Sequence, residues 1–521
     1  MSLAKSYCVS LLGLAGTLIE IEAEISSNLP SFVLVGLPDA SLSEAKDRVR
    51  AAAHNSGLPL PGRRVTVNLS PASVPKRGSA FDLAIAIGIM AANGRVRPES
   101  VSEWIHIGEL GLDGAVRGVP GVLPSVLAAK RAGWLKAIVP IANLAEACLV
   151  DGVEVLGAET LAQVAHFHGA ENPASDLQAF NGSEVSAEPV SQVNLDLADV
   201  IGQDEAVEAL TLAAAGGHHM LMVGPPGAGK TMLAERLPSI LPDLSVEAAI
   251  ETTALHSISG SKVHEVSGAL LTRPPYEAPH HTASMVSLVG GGLGMPKPGL
   301  ISLANHGVLF LDEAPEFQRP VLEAMRQPLE SGEVLINRSA GIARFPARFQ
   351  LLMAANPCPC GNFAGKGRAC VCAPAARLAY LGKLSGPLLD RIDIRLRLQP
   401  ANSAQIALAR LGATQLGRTS AEIRARVEAA RKSSSRRLAG TPWTINAQVP
   451  GAYLRRQLKA KAGVTAALDN AVDRGLISMR GYDRCLRLAW TSADLDGRSQ
   501  LVAEDIAKAV LLRGGDGVTS W

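Results

Sequence analysis

Aromatic residues are scarce: Phe, Trp and Tyr make up 4% of the 521 residues. Ala, Leu, Val and Ile must therefore fill the cores, and the basic C-terminal region lacks the interleaved aromatics of a single-strand stacking platform. No apolar run of 18 residues is free of charge, which argues against a membrane span. The first residues, MSLAKSYCVSLLGLAG, faintly imitate a signal peptide. They pass directly into the alternating TLIEIEAEI with no convincing cleavage site, so they read as part of a folded, cytoplasmic protein. Seven cysteines, four of them within 15 residues, do not make a secreted disulfide framework. Net charge is nearly absent at +2, so bulk charge points to no partner. Its distribution says more. No Lys or Arg lies between Lys136 and Lys230, and residues 146–208 hold 13 acids, whereas 421–500 hold 15 basic residues against 7 acidic. A basic surface of that kind is compatible with nucleic acid.

What is present excludes a disordered or fibrous chain: 47% hydrophobic and 19% charged residues, with Gly 50 and Pro 32 in no collagen period. At about 150 residues per domain the length predicts two to four folded units. The expected fold class is α/β. Residues 1–167 alternate strand-like runs (TLIEIEAE, SFVLVGLP, RRVTVNLSP, LKAIVPI) with helical ones (SLSEAKDRVRAAAHNSG, FDLAIAIGIMAANG, GVLPSVLAAKRAG). Residues 168–195 are polar and aperiodic and read as a linker. Residues 196–400 hold short apolar runs between helical stretches, the pattern of a largely parallel sheet with both faces covered. Residues 401–521 read as a helical domain.

The strongest motif is Gly224-Pro225-Pro226-Gly227-Ala228-Gly229-Lys230-Thr231, which fits G-x-x-x-x-G-K-[ST] between an apolar run and a helix-like TMLAERL. Glycines let the backbone curl round phosphates with its amides pointing inward. Lys230 is suited to the β- and γ-phosphates and the Thr231 hydroxyl to Mg2+, which predicts ATP and Mg2+ as cofactors. Next comes Gly307-Val-Leu-Phe-Leu-Asp312-Glu313, a buried-strand pattern ending in two carboxylates: Asp312 for the Mg2+ shell, Glu313 to polarise an attacking water. A third apolar run ends at Asn356, suited to hydrogen-bonding that water or the γ-phosphate; a plain strand-to-loop cap is the alternative. Cys358, Cys360, Cys370 and Cys372 follow as C-x-C-x9-C-x-C. Four thiolates suit tetrahedral Zn2+, although C-x-C is tighter than the usual spacing and four reduced cysteines in a loop remain the other reading. The pairs His218-His219 and His280-His281 fit nucleotide or DNA contact and plain packing equally.

Together the phosphate loop, LFLDE, MAANPCPCG and SGPLLDRIDI resemble the YifB/ComM family of magnesium-chelatase-like AAA+ ATPases, over roughly residues 4–515. The resemblance implies a ring, usually a homohexamer, with ATP between subunits. It implies that Arg391, in Gly386-Pro-Leu-Leu-Asp-Arg391, is an arginine finger reaching the neighbour's γ-phosphate, and that Arg480 is a nucleotide-sensing arginine of the helical lid, with Arg484 and Arg487 on the same helical face as alternatives. It places two insertions, 279–306 and 332–349, at the ring channel, with Lys297 and Arg338 as DNA backbone contacts or, otherwise, surface charges. It likens residues 1–167 to a Lon protease fold; the protease serine falls on Ala80 and the protease lysine on Leu123, so a non-proteolytic domain is expected. The implied activity is an ATP-driven helicase acting on single-stranded, duplex or branched DNA, with recombination proteins as further partners. Its implied role is branch migration during natural transformation. The alternative is a chelatase-like motor that remodels a protein.

Overall fold

A computed structural model describes residues 2–36, 40–76, 78–172, 174–179, 195–260, 269–292, 296–338, 341–363, 369–400, 407, 419–461 and 463–513. The N-terminal part is built on an eight-stranded mixed sheet whose middle is the hairpin of Ser2–Leu12 and Ala15–Ser26, paired antiparallel from Leu12↔Ala15 to Ser2↔Ile25. The segment resembling a signal peptide is thus the first strand of this sheet. In its partner, Ile19, Ile21, Ala23 and Ile25 point inward and the intervening glutamates outward, the period of two expected of a half-buried strand. The helix Asp82–Ala92 lies across the hairpin and is buried at every residue, which explains why its sequence is apolar all round after Asp82, whose carboxylate pairs with Arg48. Within 168–195, the stretch expected to be a linker, Gln178–Ala179 add an edge strand to Glu154–Ala158, and 180–194 lie outside the described residues.

The second sheet has five strands, all parallel, in the order Tyr276–Glu277, Val308–Leu311, Gln350–Ala355, Met220–Val223, Ile394–Arg397. Both faces are covered. Met220, Met222, Phe310, Leu352 and Ala354 face one core, Leu221, Val223, Leu309, Leu311, Leu351 and Met353 the other. This is why the three central strands read as continuous apolar runs. The edge strands do not: Tyr276–Glu277 is short and half-buried, and Ile394–Arg397 alternates Ile and Leu with Arg. The first core is shared with the C-terminal helices Ser420–Arg437, Met479–Leu495 and Ala503–Arg513, so the helical region closes one face of the sheet. Thr419 and Glu422 form a capping box at the start of the first of these helices.

Two hairpins project from the second unit: Gly290–Gly291 with Lys297–Pro298, and Glu333–Arg338 with Gly341–Pro346. The turn of the N-terminal hairpin rests on the latter. Gly13 has φ +65°, and a Cβ there would lie 2.5 Å from the Arg344 carbonyl oxygen, so both conformation and space demand glycine. Among the described residues no helix is long and apolar enough to cross a membrane.

Candidate active site

In a parallel sheet every strand ends at the same edge, and loops leaving that edge form a crevice. Three such loops carry the phosphate-loop residues, Asp312 with Glu313, and Asn356. Gly224 sits where a Cβ would fall 2.8 Å from the Leu398 carbonyl, and Gly227 and Gly229 adopt φ of +75° and +85°, leading into the helix Lys230–Ile240. That helix directs its unpaired amides back into the loop, the arrangement that binds phosphate.

Side chains from the three loops interlock. Lys230, 9% exposed, donates to the carbonyls of Gly224 (2.7 Å) and Pro225 (3.0 Å) and to Asn356 Oδ1 (3.1 Å). Burial lowers its pKa, opposed by Asp312 and Glu313. Thr231 Oγ1 donates to Asp312 Oδ2 at 2.8 Å, which brings together the hydroxyl and carboxylate expected to share a magnesium shell. Glu313 follows in the left-handed region at φ +50°, rare for a side chain of this kind, and its N–H donates to Asp312 Oδ1. The turn aims the two carboxylates differently. Sequence reasoning left two neighbours without a role here: His281 Nδ1 lies 3.6 Å from Glu313 Oε2, and Gln203 donates to the carbonyls of Ala228 and Gln399. The doublet His280-His281 was visible, but only the fold shows which carboxylate one of them meets.

Arg391 and Arg480 are elsewhere. Ile394–Arg397 runs parallel to Met220–Val223 with Ile394 opposite Met220, so Arg391, three residues before that strand, lies at the edge opposite the phosphate loop. The intervening strand is roughly 13 Å long. Arg391 pairs with Glu330 and lines an open surface cleft with Glu323, Arg326, Gln327 and Ser331. Arg480 is 80% exposed and, among the described residues, pairs with Asp390 alone, at 3.5 Å. Its two rivals are engaged within the protomer: Arg484 donates to the Arg391 carbonyl and to Asp393, and Arg487 to the Val449 carbonyl. Of the three, Arg480 is the guanidinium that faces outward.

Asp393, not singled out from the sequence, is the centre of a buried network with His218 (3.1 Å) and Arg484, and His218 also contacts Thr491 at 2.8 Å. Burial opposes its ionisation, but Arg484 and His218 hold the carboxyl well below the usual range. The network ties the start of the phosphate-loop strand to the C-terminal helices. Beside it, burial pushes His219 down to about 4, and its Nδ1 accepts the Leu351 N–H, the behaviour of a neutral packing histidine.

The two hairpins that carry Lys297 and Arg338 meet. Lys297 pairs across to Gly291, and a Cβ on Gly291 would lie 3.4 Å from the Arg338 guanidinium; both basic residues are exposed. Residues 293–295 and 339–340, at the hairpin ends, are outside the described residues. The four cysteine sulfurs lie within 4.8 Å of one another.

A pH effect follows from Glu277, at the end of an edge strand of the second sheet, where burial raises the carboxyl to about 7 from an ordinary 4.5. Between those values the folded state binds more protons than the unfolded, so stability falls as pH rises through that window. Glu277→Gln should raise the thermal midpoint at pH 8 and leave it unchanged at pH 4, which scanning calorimetry of both proteins at both pH values checks.

Comparison with known proteins matches residues 196–406 to the family "Magnesium chelatase, subunit ChlI", 417–513 to its C-terminal family and 21–143 to "Subunit ChlI of Mg-chelatase". An uncharacterized protein of Mycobacterium tuberculosis is 46% identical over 98% of this chain and 99% of its own length. Competence protein ComM of Haemophilus influenzae is 42% identical over 98% of this chain and 97% of its own. The uncharacterized protein YifB of Escherichia coli is 38% identical over 99% and 98%.

Proposed function

Because this chain belongs to the ComM and YifB family of magnesium-chelatase-like AAA+ ATPases, we propose that its ATPase is completed between subunits of a ring and drives movement along DNA. That the protein binds and hydrolyses ATP with magnesium, as an ATP-dependent motor or remodeller, follows from the family architecture. The observation that carries the inter-subunit reading is topological. Lys230, Thr231, Asp312 and Asn356 cluster at one edge of the parallel sheet, and Arg391 and Arg480 stand at the other, so no protomer brings them to its own phosphates. Stacked head to tail, one copy offers its arginine edge to the next copy's phosphate edge, and such heterologous contacts close into rings, a hexamer in this reading. In that arrangement Lys230 and the loop amides bind the phosphates, Thr231 and Asp312 hold Mg2+, Glu313 and Asn356 orient the attacking water, and the neighbour's Arg391 neutralises charge on the transferred phosphoryl oxygens.

The DNA reading is supported by Lys297 and Arg338, both exposed, on hairpins that meet where Arg338 approaches Gly291, the cross-strand partner of Lys297, and that belong to the same unit as the nucleotide residues. Scattered phosphate contacts of this type grip a backbone without reading its sequence. Branch migration that extends heteroduplex during natural transformation is the cellular role we propose, in line with the competence protein among its relatives. We take residues 1–167 as a Lon-like domain without protease chemistry: Ala80 and Leu123 lack the needed groups, and the nearby Ser79 hydroxyl donates to Glu109, a carboxylate rather than a lysine.

The test is ATP turnover with and without single-stranded, duplex and four-way-junction DNA at several salt concentrations. DNA should accelerate hydrolysis, and the Lys297→Ala/Arg338→Ala double variant should lose that acceleration. The slope of log affinity for DNA against log salt should become shallower by about two, one for each lost phosphate contact. Hydrolysis indifferent to all three DNAs would leave the chelatase-like protein remodeller as the better reading.

A further inference from the structure

We propose that Cys358, Cys360, Cys370 and Cys372 hold one structural Zn2+, and that the metal-bound turn props the phosphate loop, so that nucleotide affinity depends on zinc. The proposal rests on the ATPase reading above.

The donor geometry fits a single ion. Sγ–Sγ separations are 3.4 Å for Cys358–Cys360, 3.8 Å for Cys360–Cys370 and 3.7 Å for Cys370–Cys358, and Cys372 lies in the same cluster. A tetrahedron with Zn–S bonds of 2.3 Å has S–S edges of about 3.8 Å. A disulfide needs sulfurs about 2.05 Å apart, so none of these three pairs is bonded. Peptide N–H groups also converge on the sulfurs: Asn362 and Val371 donate to Cys360 and Phe363 to Cys358, the outer-sphere support that thiolate ligands require. Four thiolates fill a tetrahedral ion and leave no position for water, which makes the role structural.

The link to nucleotide is a steric contact. The Gly361 N–H closes a turn onto the Cys358 carbonyl at 3.0 Å, with Gly361 at φ +77°. A Cβ on Gly361 would lie 2.8 Å from Cδ and 2.9 Å from Cγ of Pro226, in the middle of the phosphate loop. The cysteine turn therefore lies flush against Pro226. The first pair begins two residues after Asn356, which accepts from Lys230. Past the second pair, the helix Pro374–Leu381 brings buried Tyr380 back to the Asn356 backbone N–H. Both arms of the cluster are anchored beside groups that hold the phosphate loop, and a metal joining them fixes the surface on which Pro226 rests.

The experiment uses the full-length protein. Elemental analysis should find about one zinc per chain. Stripping the metal with a mercurial and a chelator, then removing both, should weaken ADP binding measured by calorimetry by roughly tenfold or more, and added Zn2+ should restore it. Cys370→Ser/Cys372→Ser, checked for fold by circular dichroism, should lose the zinc and bind ADP as weakly as the stripped protein. Should removing the metal unfold the chain, Gly361→Ala decides: it keeps all four thiolates, so it should retain zinc yet bind ADP more weakly. Absence of stoichiometric zinc, iron in its place, or a Gly361→Ala protein with unchanged ADP affinity would overturn the proposal. Failure of the untreated protein to bind ADP at all would instead count against the ATPase reading.

Discussion

Arg391→Ala should cut ATP turnover by roughly 10³-fold or more, the range found when an arginine finger is withheld from a transferring phosphoryl group. Nucleotide affinity should change much less, because within one protomer Arg391 stands at the sheet edge opposite the phosphate loop. The informative measurement is a mixture. A Lys230→Ala subunit has a defective pocket and an intact Arg391; an Arg391→Ala subunit has the reverse. Random mixing at equal amounts should reunite a working pocket with a working arginine at about a quarter of the interfaces, so two inactive preparations should together recover turnover toward that fraction of wild type. A mixture as inactive as its components at every ratio would mean that Arg391 acts within its own chain or not at all. Its contact with Glu330 gives a control: Glu330→Ala should leave the guanidinium available and should not reproduce the loss.

Glu313→Gln should lower hydrolysis by roughly 10² to 10⁴-fold while leaving ATP bound, as expected when a positioned base is replaced by its isosteric amide. The amide preserves shape, and its backbone can keep the same left-handed turn and the N–H bond to Asp312, so the pocket of Lys230, Thr231 and Asp312 stays assembled. The subunits should accordingly remain in the ATP-bound ring. Single-turnover kinetics with pre-bound ATP separates the two effects: binding amplitude retained, chemical step slowed. Loss of ATP binding together with hydrolysis would show that Glu313 shapes the pocket instead of acting on water. His281, 3.6 Å from this carboxylate, lies in the stretch that also supplies the Lys297 hairpin, so the base and the proposed DNA contact are joined by one short segment.

The N-terminal hairpin illustrates why part of the fold was hard to read. Its first strand contains Lys5 and a run of apolar residues that mimic a leader, and only pairing with Ala15–Ser26 makes it a strand. The three central parallel strands were easier, because burial on both faces imposes apolar runs too short for helices. The edge strands Tyr276–Glu277 and Ile394–Arg397 carry no such run and gave no signal. Arg480, Arg484 and Arg487 could not be ranked from spacing, since all share a helical face; two are engaged by Asp393 and by a backbone carbonyl, and one faces solvent.

From its sequence alone this protein declared its nucleotide chemistry: a glycine loop with Lys230 and Thr231, a strand ending in Asp312-Glu313, a cluster of four cysteines. Those signals are local, set by which groups are covalent neighbours, so no fold was needed to see them. Only the tertiary structure decided that Asn356 meets Lys230, that the hairpins of Lys297 and Arg338 meet, that Gly361 rests on Pro226, and that Arg391 stands apart from its own phosphate loop. Such distances depend on strand order, direction and register, which long-range packing sets and no short stretch of chain encodes.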